Sequence, residues 1–222
     1  GIMESALYEK IESIISNYPI VNIAFLPRFT GVDLRISSTD ADLIEEMVSQ
    51  IAPIIKKYHF GGEGVELENA VGRLLVQSGK TIATAESCTG GLIGDRFTNV
   101  SGSSAYYKGG IVAYSNEVKH NILGVKNKTL NAYGAVSEET ALEMAIGVRR
   151  LLKSNIGLST TGIAGPTGGT DEKPVGLIYV GLSYEGGNKA FKFIFTPSRL
   201  TNKRMTSQAA LNITRLFLLD VS

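Results

Sequence analysis

"VSEETALEMAIGVRRLLKSNIGLSTTG", residues 136–162, decides the fold because a helix pattern leads directly into a strand pattern. Ser137 is a suitable N-cap for the helix. The run "NIGLSTTG" that follows is bounded by glycine and is typical of a buried strand. A helix followed at once by a buried strand indicates a layered α/β domain. One face of the helix is apolar and consists of Ala141, Met144, Ala145, Val148 and Leu152.

The same alternation continues on both sides of this stretch. The strand patterns "KTIATAES", "GIVAYS", "VGLIYVGLSY" and "KAFKFIFT" are mostly separated by helix patterns, and a final helix is expected from about Asn202. The last two strands are joined by "EGGN", which is a strong hairpin signal. Alternation favours parallel pairing, whereas a hairpin requires antiparallel pairing. We therefore expect residues 63–222 to form a layered α/β domain with a mixed sheet.

Residues 1–62 show a different pattern, α-β-β-α, which predicts a small domain of the KH type. Its two strands are expected to join around residues 29–31, and the glycines of residues 60–64, "FGGEG", suit a linker. Five basic against eight acidic residues give this segment a charge of −3, the wrong sign for gripping RNA phosphates. The G-x-x-G of Gly61–Gly64 follows both helices instead of lying between them. We therefore expect no nucleic-acid partner.

Composition and charge exclude several other classes of protein. The 222 residues are 43% hydrophobic and 19% charged, and the formal charge of +1 favours neither nucleic acid nor membranes as partners. No apolar run approaches the roughly 18 residues of a membrane helix. The single cysteine, Cys88, fits a reducing compartment, so a cytoplasmic protein is expected. With only His59, His120 and Cys88 as soft ligands, a structural zinc site is not expected. We expect no other metal and no cofactor.

The stretch "ATAESCTGGLIGD", residues 83–95, is the first candidate for a binding site. It predicts a strand, a polar turn and a helix, and a helix start attracts phosphates or an oxyanion through its free N–H groups. The alternative is a simple N-cap followed by a tight turn. The candidate ligand-binding residues of the turn are Ser87, Thr89, Gly90 and Gly91.

The second candidate combines "SGSSAYYKGG", residues 101–110, with the "YSNEVK" that follows. A serine nucleophile needs a base, and a lysine acts as one only if burial lowers its pKa. The apolar neighbours of Lys119 make such burial plausible, and Tyr114 could relay the proton. The alternative is that Ser103 caps a turn, Tyr114 ends a core strand and Lys119 is solvated.

The third candidate is the glycine-rich loop of residues 160–176, which is long enough to suggest a function. Gly162 and Gly165 suit a wall where backbone groups touch a ligand, while Glu172 and Lys173 are expected in solvent at the loop tip. Two arginines near the last helix, Arg199 and Arg204, could hold a phosphate or carboxylate, or could simply be solvated.

Four stretches, "TAESCTGG", "SGSSAYYKGGIVAYSNEVK", "GAVSEETALEMA" and "TGIAGPTGGTDEKPVG", resemble the C-terminal domain of the CinA family, the nicotinamide mononucleotide deamidases. The resemblance covers residues 65–220, and the preceding segment resembles the family's KH-type domain. It implies a metal-independent amidohydrolase, usually dimeric, that converts nicotinamide mononucleotide to nicotinic acid mononucleotide and ammonia.

The resemblance also implies the roles of individual residues. Ser104 would be the nucleophile, with Tyr114 and Lys119 as partners and Ser87 in the same site. Arg199 matches the family's arginine best, but the chain has "TPSR" where the family has a Gly-Asp-Arg-like stretch, so Arg204 stays an alternative.

One geometric question follows from the predicted strand between Ser104 and Tyr114. Strand residues 109–114 would span about 20 Å, so Ser104 must fold back or meet Tyr114 from another subunit. The alternative function is a catalytically silent nucleotide-binding or scaffold fragment of a longer CinA-like protein.

Overall fold

The computed structural model describes residues 2–28, 31–196 and 198–220. The chain divides into two compact units, Gly1–Gly62 and Glu63–Ser222. None of the helices within the described ranges has the length and hydropathy of a membrane span.

The first unit has the predicted α-β-β-α order. Its elements are α1 (Glu4–Ile15), β1 (Asn22–Arg28), β2 (Gly31–Ser37) and α2 (Ala41–Ile55). The two strands pair antiparallel, and Asp40 caps α2 by accepting hydrogen bonds from two backbone N–H groups. The small core is centred on Ile11, Met47 and Ile51. The predicted turn around residues 29–31 falls mainly on positions outside the described residues.

The second unit is built on a five-stranded sheet in the order β4-β3-β5-β6-β7. Strands β4, β3 and β5 are parallel, whereas β6 and β7 are antiparallel, which confirms the predicted mixed sheet. The elements are α3 (Leu67–Gln77), β3 (Ile82–Glu86), α4 (Leu92–Thr98), a 3₁₀ turn (Ser103–Ala105), β4 (Tyr107–Val112), α5 (Asn116–Asn121), α6 (Asn127–Tyr133), α7 (Glu138–Leu151), β5 (Ile156–Gly162), β6 (Leu177–Tyr184), β7 (Gly187–Ile194) and α8 (Arg199–Leu218).

Helix α7 packs on the sheet through the apolar face that the sequence predicts, with Met144 and Val148 fully buried. Leu123, which follows α5, joins the same core. The contact requires a glycine, because a Cβ at Gly147 would lie 2.8 Å from the carbonyl carbon of Leu123. This close packing holds Leu123, four residues after Lys119, against α7.

The parallel strands bring three connections to one edge of the sheet. Glu86 and Val112 end β3 and β4 side by side in the register, and Thr160 of β5 pairs with Glu86. The carboxyl ends of parallel strands therefore place Ser87, Tyr114 and the glycine-rich loop at the same edge, where α/β proteins usually bind ligands. Strand β4 begins three residues before the predicted strand "GIVAYS". Helix α6 was not predicted from the sequence.

Candidate active site

A cavity of about 210 Å³ opens at this carboxyl edge of the sheet. It combines hydroxyl, amine and guanidinium groups with small apolar side chains. Its lining residues are Ser87, Cys88, Tyr114, Asn116, Lys119, Ala135, Val136, Thr161, Gly162, Ala164 and Arg199.

Lys119 is the unusual residue of this cavity, because its side chain is only 1% exposed. Its Nζ lies 3.1 Å from the Oγ of Ser87, 2.9 Å from the carbonyl oxygen of Ala113 and 3.2 Å from that of Tyr114. No acidic side chain among the described residues forms an ion pair with it. Burial without a counter-charge lowers the pKa of Lys119 from its ordinary value of 10.5.

The Nζ of Lys119 donates all three of these hydrogen bonds. Carbonyl oxygens only accept hydrogen bonds, so Ala113 and Tyr114 take the two N–H groups of an uncharged –NH₂. Once the amine is uncharged, its lone pair faces Oγ of Ser87, so the hydrogen bond that Nζ donates to Ser87 can reverse. This arrangement can remove the proton from Ser87.

The short helix α5 delivers Lys119 to this position. Ser115 caps the helix by accepting a hydrogen bond from the Val118 N–H at 3.2 Å. One turn later the Lys119 side chain points back towards Ala113, which follows β4 and belongs to the same apolar core as Leu123 and Val125. Burial therefore desolvates the amine, as the apolar residues around it in the sequence suggested.

Ser87 is held just beyond β3 by the sheet itself. Its N–H donates to the carbonyl of Thr160 at 2.9 Å, which extends the β3–β5 ladder by one residue. Its side chain is 9% exposed and lines the cavity. Cys88 is also buried there, but burial raises its pKa to about 12, so it is a thiol at neutral pH. A thiol is a weak nucleophile, which leaves Ser87 as the serine that the base can activate.

Ser104 does not lie beside Lys119 within one chain, so the predicted pairing of these two residues requires the Ser104 of another subunit. It is exposed in the 3₁₀ turn that precedes β4. The register pairs the start of β4, Tyr107, with Ile82 at the start of β3. Ser104 is thus at the amino edge of the sheet, about 20 Å of strand away from the cavity. Ser87, which the sequence suggested only as a binding residue, is the serine that contacts Lys119 within the chain.

The helix start after Ser87 is already occupied by a side chain. The buried carboxylate of Glu86 accepts hydrogen bonds from the N–H groups of Gly91, Ile93 and Gly94, at 2.9, 3.1 and 2.8 Å. Such a carboxylate neutralises the positive end of α4. These three N–H groups are therefore not available to the phosphate or oxyanion that the sequence predicted at this helix start.

The other members of the predicted binding turn have structural roles. The hydroxyl of Thr89 is fully buried and shares a 2.7 Å hydrogen bond with the hydroxyl of Thr160. Gly90 and Gly91 have φ angles of 62° and 95°, a conformation that favours glycine. None of the three lines the cavity. The alternative of a tight turn is the better description of these residues.

Tyr114 and Arg199 form the rim of the cavity. The Tyr114 side chain is 63% exposed, and its hydroxyl accepts a hydrogen bond from Nη2 of Arg199 at 3.0 Å. The proton relay was expected between Ser104 and Lys119, whereas Ser87 contacts Lys119 directly and needs no relay. Arg204 is exposed and does not line the cavity. Of the two arginines, the site therefore includes Arg199.

The glycine-rich loop contributes the wall beside Arg199. Gly162 lines the cavity, and a Cβ there would lie 2.6 Å from the carbonyl oxygen of Leu177. Gly165 is buried and outside the lining, but its carbonyl accepts a hydrogen bond from Nη1 of Arg199 at 3.0 Å. The buried amide of Asn202 donates to the carbonyl of Ala164 at 2.9 Å. Helix α8 thus begins at Arg199, three residues earlier than predicted, and its first turn holds this loop.

Several cavity residues were missed by sequence reasoning. Ala135, Val136 and Ala164 are small apolar residues in loops, and nothing in their own sequence marks them as site residues. Asn116 carried a weak signal, because it opens the helix that presents Lys119. Lys173 was expected in solvent, yet its Nζ donates to two backbone carbonyls of the segment that contains Ala135.

Comparison with known proteins gives both units a family. Residues 65–218 match the model of the CinA C-terminal domain, and residues 1–61 match that of the damage-inducible protein CinA KH domain. A putative competence-damage inducible protein from Halothermothrix orenii is 49% identical over 217 residues, which are 95% of this chain and 52% of that protein. A CinA-like protein from Chloroherpeton thalassium is 46% identical over 97% of this chain and 54% of its own length. The chain therefore spans about half the length of these curated relatives.

Solved structures agree with this assignment. The competence/damage inducible protein from Agrobacterium tumefaciens superposes with a TM-score of 0.67 at 38% identity, covering 73% of this chain and 98% of that one. The competence damage-inducible protein A from Klebsiella pneumoniae gives 0.68 at 31% identity, covering 70% and 97%. The chain belongs to the CinA family, with a CinA KH domain followed by a CinA C-terminal domain.

Proposed function

We propose that the second unit hydrolyses the carboxamide of nicotinamide mononucleotide to nicotinic acid mononucleotide and ammonia, with Ser87 as nucleophile and Lys119 as general base. One observation carries the proposal. A lysine amine that is 1% exposed and has no ion pair among the described residues lies 3.1 Å from the hydroxyl of a cavity serine. The family resemblance supplies the substrate.

In the first half of the proposed reaction, the serine becomes acylated. The hydroxyl of Ser87 transfers its proton to the neutral Nζ of Lys119 while its Oγ bonds to the carboxamide carbon. The protonated Lys119 then gives that proton to the amide nitrogen as the C–N bond breaks, and ammonia leaves. The product of this half is a nicotinoyl ester of Ser87.

In the second half, water replaces ammonia. Lys119, neutral again, takes a proton from a water molecule that attacks the ester carbon. The C–Oγ bond breaks, Ser87 recovers its proton from Lys119, and the nicotinate is released as its mononucleotide. The same amine therefore serves both halves, since each half ends with Lys119 neutral.

Arg199 is proposed to recognise the phosphate of the mononucleotide. Its guanidinium reaches the cavity rim and forms no ion pair among the described residues, so it can accept an anionic partner. We expect Arg199→Met to lower kcat/KM for nicotinamide mononucleotide by about tenfold to a hundredfold. The loss for nicotinamide riboside, which has no phosphate, should be several times smaller. Steady-state ammonia release with both substrates measures this difference.

Arg204→Met is the matched control for this prediction, because Arg204 lies on the same helix but outside the cavity. It should leave the preference for the mononucleotide over the riboside unchanged. An equal loss for both substrates in Arg199→Met would mean that Arg199 holds the loop but does not bind phosphate.

Activity should rise with pH because the base must be neutral. Burial lowers the pKa of Lys119, so the midpoint of the rise in kcat/KM is expected below pH 10.5, the ordinary lysine value. The folded chain then binds fewer protons than the unfolded chain between the lowered pKa and 10.5, so the free energy of unfolding should also rise with pH across that window. Denaturant unfolding at several pH values tests this, and Lys119→Met should remove the contribution of this residue to the slope.

The direct test of the function is ammonia release from nicotinamide mononucleotide by the purified chain, with Ser87→Ala as the blank. Release that exceeds the blank supports the deamidase. Calorimetric binding of the mononucleotide without any release would instead favour the silent nucleotide-binding or scaffold fragment.

A further inference from the structure

Residues 133–136 connect α6 to the cap of α7 and form one wall of the cavity, where Ala135 and Val136 face the ligand space. Carbonyls that leave a helix have no intrahelical partners and need other donors. All four carbonyls of this segment accept hydrogen bonds from side chains. Tyr133 O and Val136 O accept from Nζ of Lys173 at 2.6 and 2.8 Å, Gly134 O accepts from Oγ1 of Thr140 at 2.8 Å, and Ala135 O accepts from Oγ1 of Thr161 at 2.6 Å.

Two of these four carbonyls accept hydrogen bonds from one side chain, that of Lys173 in the glycine-rich loop. A tight turn presents it, in which the Lys173 N–H donates to the hydroxyl of Thr170 and the Thr170 N–H donates to the Lys173 carbonyl. Gly134 makes room for the ammonium, because a Cβ at Gly134 would lie 3.2 Å from Nζ. No carboxylate among the described residues pairs with Lys173, so its electrostatic partners are the two wall carbonyls.

The glycine-rich loop is fastened at its other end as well. Near its start, Ala164 and Gly165 are held through their carbonyls by Asn202 and Arg199 of α8. Lys173 fastens the far part of the same loop to the opposite wall. The loop therefore ties α8 to the segment 133–136 around the cavity.

We propose that Lys173 is a positioning residue that fixes the wall of Ala135 and Val136 against the planar ring of the substrate. The ring lies on this wall while its carboxamide faces Ser87, so the wall sets the fit of the aromatic amide and takes no part in the proton transfers. This inference rests on the proposed deamidase function.

Lys173→Met tests the proposal, because methionine keeps most of the length of the side chain and removes the donors. We expect KM for nicotinamide mononucleotide to rise about tenfold, with kcat within about twofold, since β3 and α5 carry the reacting residues. Lys173→Arg keeps a cation with several donors and should keep KM within about threefold of the parent. Lys192→Met, at an exposed position in β7, is the control and should change neither constant.

An unchanged KM in Lys173→Met would overturn the proposal. This holds even if kcat falls, because a lower kcat at constant KM indicates a smaller folded fraction. If Lys173→Met does not fold, Lys173→Gln replaces it, and the same rise in KM is required. If the parent chain releases no ammonia, the deamidase function fails separately. The wall is then tested with phenylmethanesulfonyl fluoride, which sulfonylates a reactive serine and carries a planar ring. Intact mass measures how the rate of Ser87 sulfonylation depends on the concentration of this reagent. In Lys173→Met, a higher concentration must be needed for the same rate.

Discussion

Ser87→Ala is expected to lower kcat for ammonia release from nicotinamide mononucleotide by at least about a thousandfold. The substitution removes the only hydroxyl within hydrogen-bonding distance of the Lys119 amine among the described side chains, so no acyl-enzyme can form. Binding should persist, because the rim arginine and the cavity wall are untouched. Single-turnover kinetics with mass spectrometry of the quenched protein should show a nicotinoyl ester in the parent chain and none in Ser87→Ala.

Ser104→Ala is the matched control, and it should retain nearly full activity. Ser104 is an exposed serine of the same unit at the opposite edge of the sheet. The comparison therefore separates the loss of a serine in the cavity from the loss of a serine elsewhere. An inactive Ser104→Ala together with an active Ser87→Ala would contradict the proposed nucleophile. It would instead favour a site that a second subunit completes with its own Ser104.

Lys119→Met is expected to be as damaging as the loss of the nucleophile, again by about a thousandfold or more in kcat. Without the amine, the Ser87 hydroxyl has no base, and the leaving group has no proton donor. The fold should survive, because methionine fills a similar volume and removes the cost of burying an amine. Initial rates and thermal melting, measured together, separate loss of chemistry from loss of structure.

Lys119→Arg distinguishes a base from a simple positive charge. A guanidinium stays protonated at every working pH, so this variant should be as inactive as Lys119→Met. Lys128→Met, an exposed lysine in α6, is the control and should behave like the parent chain. Substantial activity in Lys119→Arg would show that the residue acts by charge, which is incompatible with the proposed proton transfers.

Local patterns in the sequence indicated the burial of Lys119, which the structure shows. The apolar residues near Lys119 in the sequence indicated burial. Residues that are close in sequence stay close in space on a short helix, so this signal could be read locally. Tyr114 was also expected at the end of a strand, and it does follow β4 closely. The α/β class, the KH-type unit and the mixed sheet were predicted from alternation and from one hairpin signal, which are likewise local.

The choice between Ser87 and Ser104 depended on information that is not local. Both precede or follow a strand, and only the strand order decides which of them meets Lys119. Because β3 lies beside β4 and runs parallel to it, the residues that follow these strands meet, whereas Ser104 precedes its strand. Lys173 escaped prediction for the same reason, since the carbonyls that bind it lie about forty residues earlier.

The proposed base is oriented by the peptide groups of Ala113 and Tyr114, and no acidic side chain in the described part of the chain supports it. A histidine base usually depends on a carboxylate that a single codon change can delete, but a main-chain acceptor is present whatever side chain the codon specifies. Substitutions at positions 113 and 114 therefore leave the amine with its acceptors as long as the chain keeps its course. The vulnerable events are insertions, deletions and prolines between β4 and α5, since these displace the two oxygens themselves.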